Sequence, residues 1–175
     1  MSNAKLSKIN ILSVEHLREY LYYESLTGVF TWVNKNQNAN CIKVGDIAGD
    51  LHKASGYTRI CIDGKRHYAH RLAWLYMTGV MPKNLIDHIN GDRSDNRFCN
   101  LREATIQQNN QNQKISQKGN KSGFLGVSFK KATGKYKARV QANGKNKFLG
   151  YFVTPEEASK AYIEAKRIYH PFGTI

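Results

Sequence analysis

Cysteine is scarce: Cys41, Cys61 and Cys99 are an odd number and form no C-x-x-C pair. That argues against a disulfide scaffold and against a thiolate zinc knuckle. All three are expected to pack as small hydrophobes, which suits a reducing cytoplasm. No apolar run is long enough to cross a bilayer, and no stretch reads as a secretory signal. No basic helix carries the large apolar anchors that a membrane surface selects. Acidic residues are few in the last third. Residues 110–175 hold 13 Lys/Arg against 3 Asp/Glu, whereas residues 1–109 hold 14 against 10.

The result is a net charge of +14 on 175 residues. A basic tail third beside a nearly balanced body points to a polyanionic partner. Charge alone does not separate DNA from RNA, or either from a solvated basic surface. The 41% hydrophobic content is enough for one or two small domains.

Ser13 is placed to cap a first helix with Val14, Leu17 and Leu21 at helical spacing. Thr27-Gly28 turns the chain into a strand over 29–33, and a short strand is expected at 45–49. Residues 57–62 and 66–69 read as a hairpin about Asp63-Gly64. A helix follows over 71–77, with Leu72, Leu75 and Tyr76 on its apolar face and Gly79 and Pro82 ending it.

The chain's organising stretch is Ile86-Asp87-His88-Ile89-Asn90-Gly91-Asp92 with its continuation Asp95-Asn96-Arg97-Phe98-Cys99-Asn100-Leu101. Gly91 and the polar run after it mark a tight loop. Thr105-x-x-Gln108 is a capping box, so a helix starts there and Asn109 falls in its first turns. Breaking a phosphodiester needs an activated water and neutralised charge. A histidine titrating near neutrality suits the first need, and a hard cation on oxygen ligands suits the second. Asp87 offers a carboxylate oxygen and Asn109 an amide oxygen.

This stretch, with the lead-in Tyr68-Ala69-His70-Arg71-Leu72-Ala73-Trp74, resembles the HNH endonuclease motif in its phage and intron form, over about 57–112. The resemblance implies a ββα-metal fold. It implies His88 as the general base and Asn100 as the residue that fixes the loop and orients His88. It implies Asp87 and Asn109 as ligands of one Mg2+ or Mn2+, with Asn110 the alternative to Asn109. Arg93 and Arg97 are candidate phosphate contacts, and His70 is expected to be structural. The implied setting is a bacterial cytoplasm, with the gene carried by a phage, prophage or mobile element.

Residues 107–121 are rich in Gln, Asn and Lys and hold no acidic residue, and 113–121 is the expected linker. Beyond it three strands are expected, at 126–131, 135–141 and 147–152. The second alternates cleanly, and Asn143-Gly144 is a hairpin signal. Thr154-Pro155-Glu156-Glu157 opens a last helix with Ala158, Ala161, Tyr162, Ala165, Ile168 and Tyr169 as its apolar stripe. The residues Gly126-Val127, Lys135-Tyr136-Lys137-Ala138, Leu149-Gly150-Tyr151-Phe152 and Glu156-Glu157-Ala158 resemble the APETALA-type (ethylene-response-factor) DNA-binding domain. By that resemblance Ser128, Lys130, Arg139, Gln141, Asn146 and Phe148 face DNA. Lys145 and Lys147 are expected to meet phosphates.

The fold class expected is therefore α+β. A nuclease domain (1–112) precedes a small three-stranded antiparallel sheet packed on one helix (122–175). The expected function is metal-dependent cleavage of double-stranded DNA, of homing or phage type, with no small-molecule cofactor and an open oligomeric state. The alternative is a phage DNA-binding regulator that has lost cleavage.

Overall fold

The computed structural model describes residues 12–34, 42–113, 116, 119–142 and 144–174. Contacts divide the chain into two compact units. The first is Met1–His88 with Arg93–Leu101, and the second is Ile89–Asp92 with Arg102–Ile175.

In the first unit, α1 (Val14–Tyr20) starts where the Ser13 hydroxyl accepts from the His16 amide. It ends sooner than the helical spacing suggests. Leu21 is extended at φ −130° and begins β1 (Leu21–Glu24). β1 pairs antiparallel with β2 (Val29–Trp32), so Leu21 faces Trp32 and a cross-strand pair replaces the next helical turn. The strand expected at 45–49 is reduced to one bridge, Thr31 to Ile47. β3 (Asp50–His52), β4 (Tyr57–Ile62) and β5 (Lys65–Tyr68) form an antiparallel sheet in that order. Asp63 and Gly64 make the β4–β5 turn with φ of 48° and 74°. α2 (Ala69–Thr78) follows at once and is closed by left-handed Gly79.

Leu17, Leu21, Phe30, Ile60, Ile62, Leu72 and Leu75 are fully buried in one core. Each such side chain contributes about 1.5–3 kcal/mol. Cys61 corrects an expectation: it is exposed, because period two turns Ile60 and Ile62 inward and Cys61 out. Cys99 is exposed as well, and Cys41 lies outside the described residues. β6 (Leu85–His88) carries Ile86, Asp87 and His88 into the interior. A 3-10 turn (Phe98–Asn100) then leads into β7 (Leu101–Ala104).

In the second unit, α3 (Ile106–Gln111) opens on a complete capping box. Gln108 N donates to Thr105 Oγ1 at 3.2 Å, and Thr105 N donates to Gln108 Oε1 at 2.9 Å. β8 (Val127–Lys130), β9 (Lys135–Ala142) and β10 (Lys145–Phe152) form an antiparallel sheet with β9 in the middle. α4 (Pro155–Tyr169), capped by Thr154 and Glu157, lies against it. Ala138, Val140, Ala158, Tyr162 and Ala165 are buried. Ile168 is 72% exposed; the stripe runs 158–162–165–169, and Ile168 lies one residue off it. Lys166 takes its place inside by donating from Nζ to the carbonyls of Gln113 (2.8 Å) and Thr174 (3.3 Å). Gly126, at φ 73°, must be glycine because a Cβ there would enter the Tyr162 ring. α3 falls in the same compact unit as the residues that follow it.

Candidate active site

His88 closes β6 with 4% of its surface exposed. Its ring stands edge-on to His70 at 5.1 Å between centroids and lies 5.9 Å from the Tyr57 ring. Its Nε2 is 3.4 Å from Asn96 Oδ1. An amide oxygen only accepts, so this contact favours a proton on Nε2. Asn96 is buried and itself held: its carbonyl accepts from Tyr23 Oη at 2.6 Å, and its Nδ2 donates to Ser94 O at 3.0 Å.

The loop after His88 rests on the amino-terminal hairpin. Phe98 N donates to Ser25 O at 3.2 Å. Gly28, at φ 75°, lies so close to the Asn96–Arg97 peptide that any Cβ would collide with it. Asn100, expected to orient His88, donates from Nδ2 to Asp95 O at 2.9 Å and so fixes the loop. Asn96, which the motif reading quoted and gave no role, also reaches the His88 ring. Only its place eight residues past His88 in a tight loop hinted at it.

His70 is 6% exposed and its Nδ1 has no hydrogen-bond partner. Burial first, then His88 and Arg71 nearby, push its pKa down to about 3. It therefore stays neutral and stacks beside Tyr68 and Tyr57, which is the structural role expected of it. Arg93 donates to Ser55 O at 3.0 Å and covers the Tyr57 ring at 5.0 Å. Arg97 forks onto Asp95, at 2.8 Å from Nε and 2.6 Å from Nη2. That bond raises its pKa further. Both guanidiniums are thus held by the loop and its wall while remaining exposed.

Residues 67–111 match the sequence model of the HNH endonuclease family. An uncharacterized HNH endonuclease of Acanthamoeba polyphaga mimivirus is 32% identical over 122 residues, 68% of this chain. The chain spans 62% of that relative's length. No solved structure matches the chain.

The HNH span contains Asp87, His88, Asn100 and Asn109. Among the described residues, no group of three or more His, Cys, Asp or Glu side chains gathers to cage a metal ion. The oxygens offered are the buried carboxylate of Asp87 and the half-buried amide of Asn109. They are hard donors that suit Mg2+ or Mn2+ once phosphate and water complete the shell. Asn110 is exposed and lines a cavity of about 840 Å³ together with Lys121, Ser128, Arg139, Gln141 and Asn146.

The same helix is tied to the end of the chain. Thr174 Oγ1 donates to Ile89 O at 2.8 Å, and Thr174 N donates to Asn112 Oδ1 at 3.0 Å. Arg102 Nη2 donates to Phe172 O at 2.6 Å, and its guanidinium lies 3.4 Å from the Phe172 ring centroid. Ile89 is the residue bonded to His88, so this knot holds the strand's exit.

On the carboxyl-terminal sheet, antiparallel register decides which side chains share a face. Ser128 faces Lys137, Lys130 faces Lys135, Arg139 faces Phe148, and Gln141 faces Asn146. All eight lie opposite the α4 side. Lys145 and Lys147, expected to meet phosphates near the hairpin, pair with Ala142 and Val140 and lie on the other face. Lys147 places its ammonium 4.1 Å from the Tyr169 ring of α4. Asn143 lies outside the described residues.

Proposed function

We propose that the chain is a metal-dependent endonuclease of homing or phage type that hydrolyses DNA phosphodiester bonds. The observation that carries this is His88, a buried ring gripped by Asn96, Tyr57 and His70 within the matched HNH span. A ring held in one orientation and one tautomer can take a proton from an attacking water without reorganising. The water oxygen then bonds to phosphorus and the bond to the leaving sugar oxygen breaks. The neutral His70 adds no charge beside the imidazolium that forms. Asp87 and Asn109 would each offer an oxygen to one Mg2+ or Mn2+, and Asn100 keeps the loop shut. When bound, such an ion neutralises the phosphate and stabilises the leaving oxygen.

Double-stranded DNA is the substrate, and the basic carboxyl-terminal sheet binds it. Three antiparallel strands on one helix support the APETALA-type reading of 122–175. The test is incubation of supercoiled plasmid in Mg2+, Mn2+ or EDTA. The parent nicks or linearises plasmid only with metal. His88→Ala loses at least about 10² in rate and still shifts DNA in a gel. A parent that binds plasmid and never cuts it would make the protein a DNA-binding regulator.

A further inference from the structure

β10 contains one irregularity, and it determines where two aromatic rings go. The register slips between Phe148 and Gly150: Phe148 faces Arg139, whereas Gly150 already faces Ala138 and Tyr151 faces Lys137. In a regular strand, residues three apart point to opposite faces. The bulge cancels that alternation and brings Phe148 and Tyr151 to the same face, away from α4. Their ring centroids are 5.1 Å apart, and the side chains stay 57% and 48% exposed. Neither ring belongs to the two small cores of this unit. Lys137 Nζ lies 5.5 Å from the Phe148 centroid, and Lys130, Lys135 and Arg139 share the face. From residue 104 to residue 155 the sequence has no Asp or Glu. The cavity of about 840 Å³ that reaches Arg139, Gln141 and Asn146 has no carboxylate in its lining.

We propose that this face binds single-stranded nucleic acid, with Phe148 and Tyr151 stacking on unpaired bases and the surrounding cations meeting the backbone. A duplex hides its base faces in its own stack, so exposed rings gain little from it. An unpaired strand offers those faces, and the stacking tolerates any base. Gln141, Asn146 and Ser128 supply polar contacts to base edges. Stacking of this kind does not depend on cleavage.

The test uses the full chain in EDTA, so that binding is read without cutting. Fluorescence anisotropy compares a labelled thymidine oligonucleotide of about 16 nucleotides with a duplex of equal length. Phe148→Ala and Tyr151→Ala each weaken single-strand binding about tenfold and weaken duplex binding by clearly less. Phe148→Trp retains single-strand affinity. Phe148→Leu, which keeps apolar bulk and loses the ring face, binds as weakly as Phe148→Ala. Thermal melting checks each variant, and the Trp and Leu pair carries the test if an alanine variant melts early. Alanine variants that bind the single strand like the parent, or that lose both forms equally, would overturn the proposal. Equal affinity of the Leu and Trp variants would do the same.

Discussion

Replacing His70 by phenylalanine keeps a ring against Tyr57, Tyr68 and His88 and removes one buried titrating group. The histidine's pKa is about 3 in the folded chain, against 6.5 when unfolded. Between those values the unfolded chain binds a proton that the folded chain refuses, so stability rises with pH there. His70 thus costs nothing above its unfolded pKa and progressively more as pH falls through 6.5 toward 3. The slope inside the window is about 1.4 kcal/mol per pH unit, which amounts to about 2 kcal/mol at pH 5 relative to pH 8. His67, also lowered by burial, adds a slope of the same sign. His16, raised by its bond to Asp63, opposes it: its contribution is present at low pH and lost as pH rises. Both cancel when the parent is compared with His70→Phe. Urea unfolding from pH 8 to pH 5 should show the parent losing about 2 kcal/mol more than the variant. Parallel curves would mean that His70 is solvated or protonated in the fold, and the neutral wall beside His88 would go with it.

Asp87→Ala and Asn109→Ala should each raise the Mg2+ or Mn2+ concentration needed for half-maximal cleavage. Titrations that superimpose on the parent's would place the ligands elsewhere. Asn96→Ala removes the oxygen that meets His88 Nε2 and should lower turnover about tenfold, the worth of one hydrogen bond, with DNA affinity intact. Parent-like turnover would mean that Asn96 does not orient His88. Thr174→Val deletes the hydroxyl that holds Ile89 O and should accelerate hydrogen exchange in residues 89–92, with Thr174→Ser restoring protection. Unchanged exchange in the valine variant would show that the end of the chain does not hold this loop.

Signals closed within a few residues were legible in the sequence. Both capping boxes form as the Thr-x-x-Gln and Thr-x-x-Glu spacings demand. The Asp63-Gly64 turn, the helix stop at Gly79 and the alternation of β9 were equally plain, because each rests on local backbone preference or on one strand's period. What depended on distant partners was not. Leu21 looked helical from Leu17 until Trp32 claimed it as a strand partner. Lys147 looked like one more cation near a hairpin, and only the register sends it to the Tyr169 side. At the site, Asp87, His88 and Asn109 were marked by motif spacing. Asn96 gains its position from Tyr23, more than seventy residues earlier, and no local pattern encodes that. The bulge at Phe148 is likewise invisible before the strands are paired.

The second unit is assembled from two stretches of chain, Ile89–Asp92 and Arg102–Ile175. Thr174 meets Ile89 across 85 positions. Contacts of such long reach form late, because the loop they close must first be drawn in. During synthesis His88 emerges well before α4 and the turn after it exist. The peptide leaving His88 therefore meets Asn112 first and lacks its Thr174 partner until nearly the whole second unit has been made. A nascent or prematurely terminated chain carries every residue of the HNH motif without the knot that sets its exit strand.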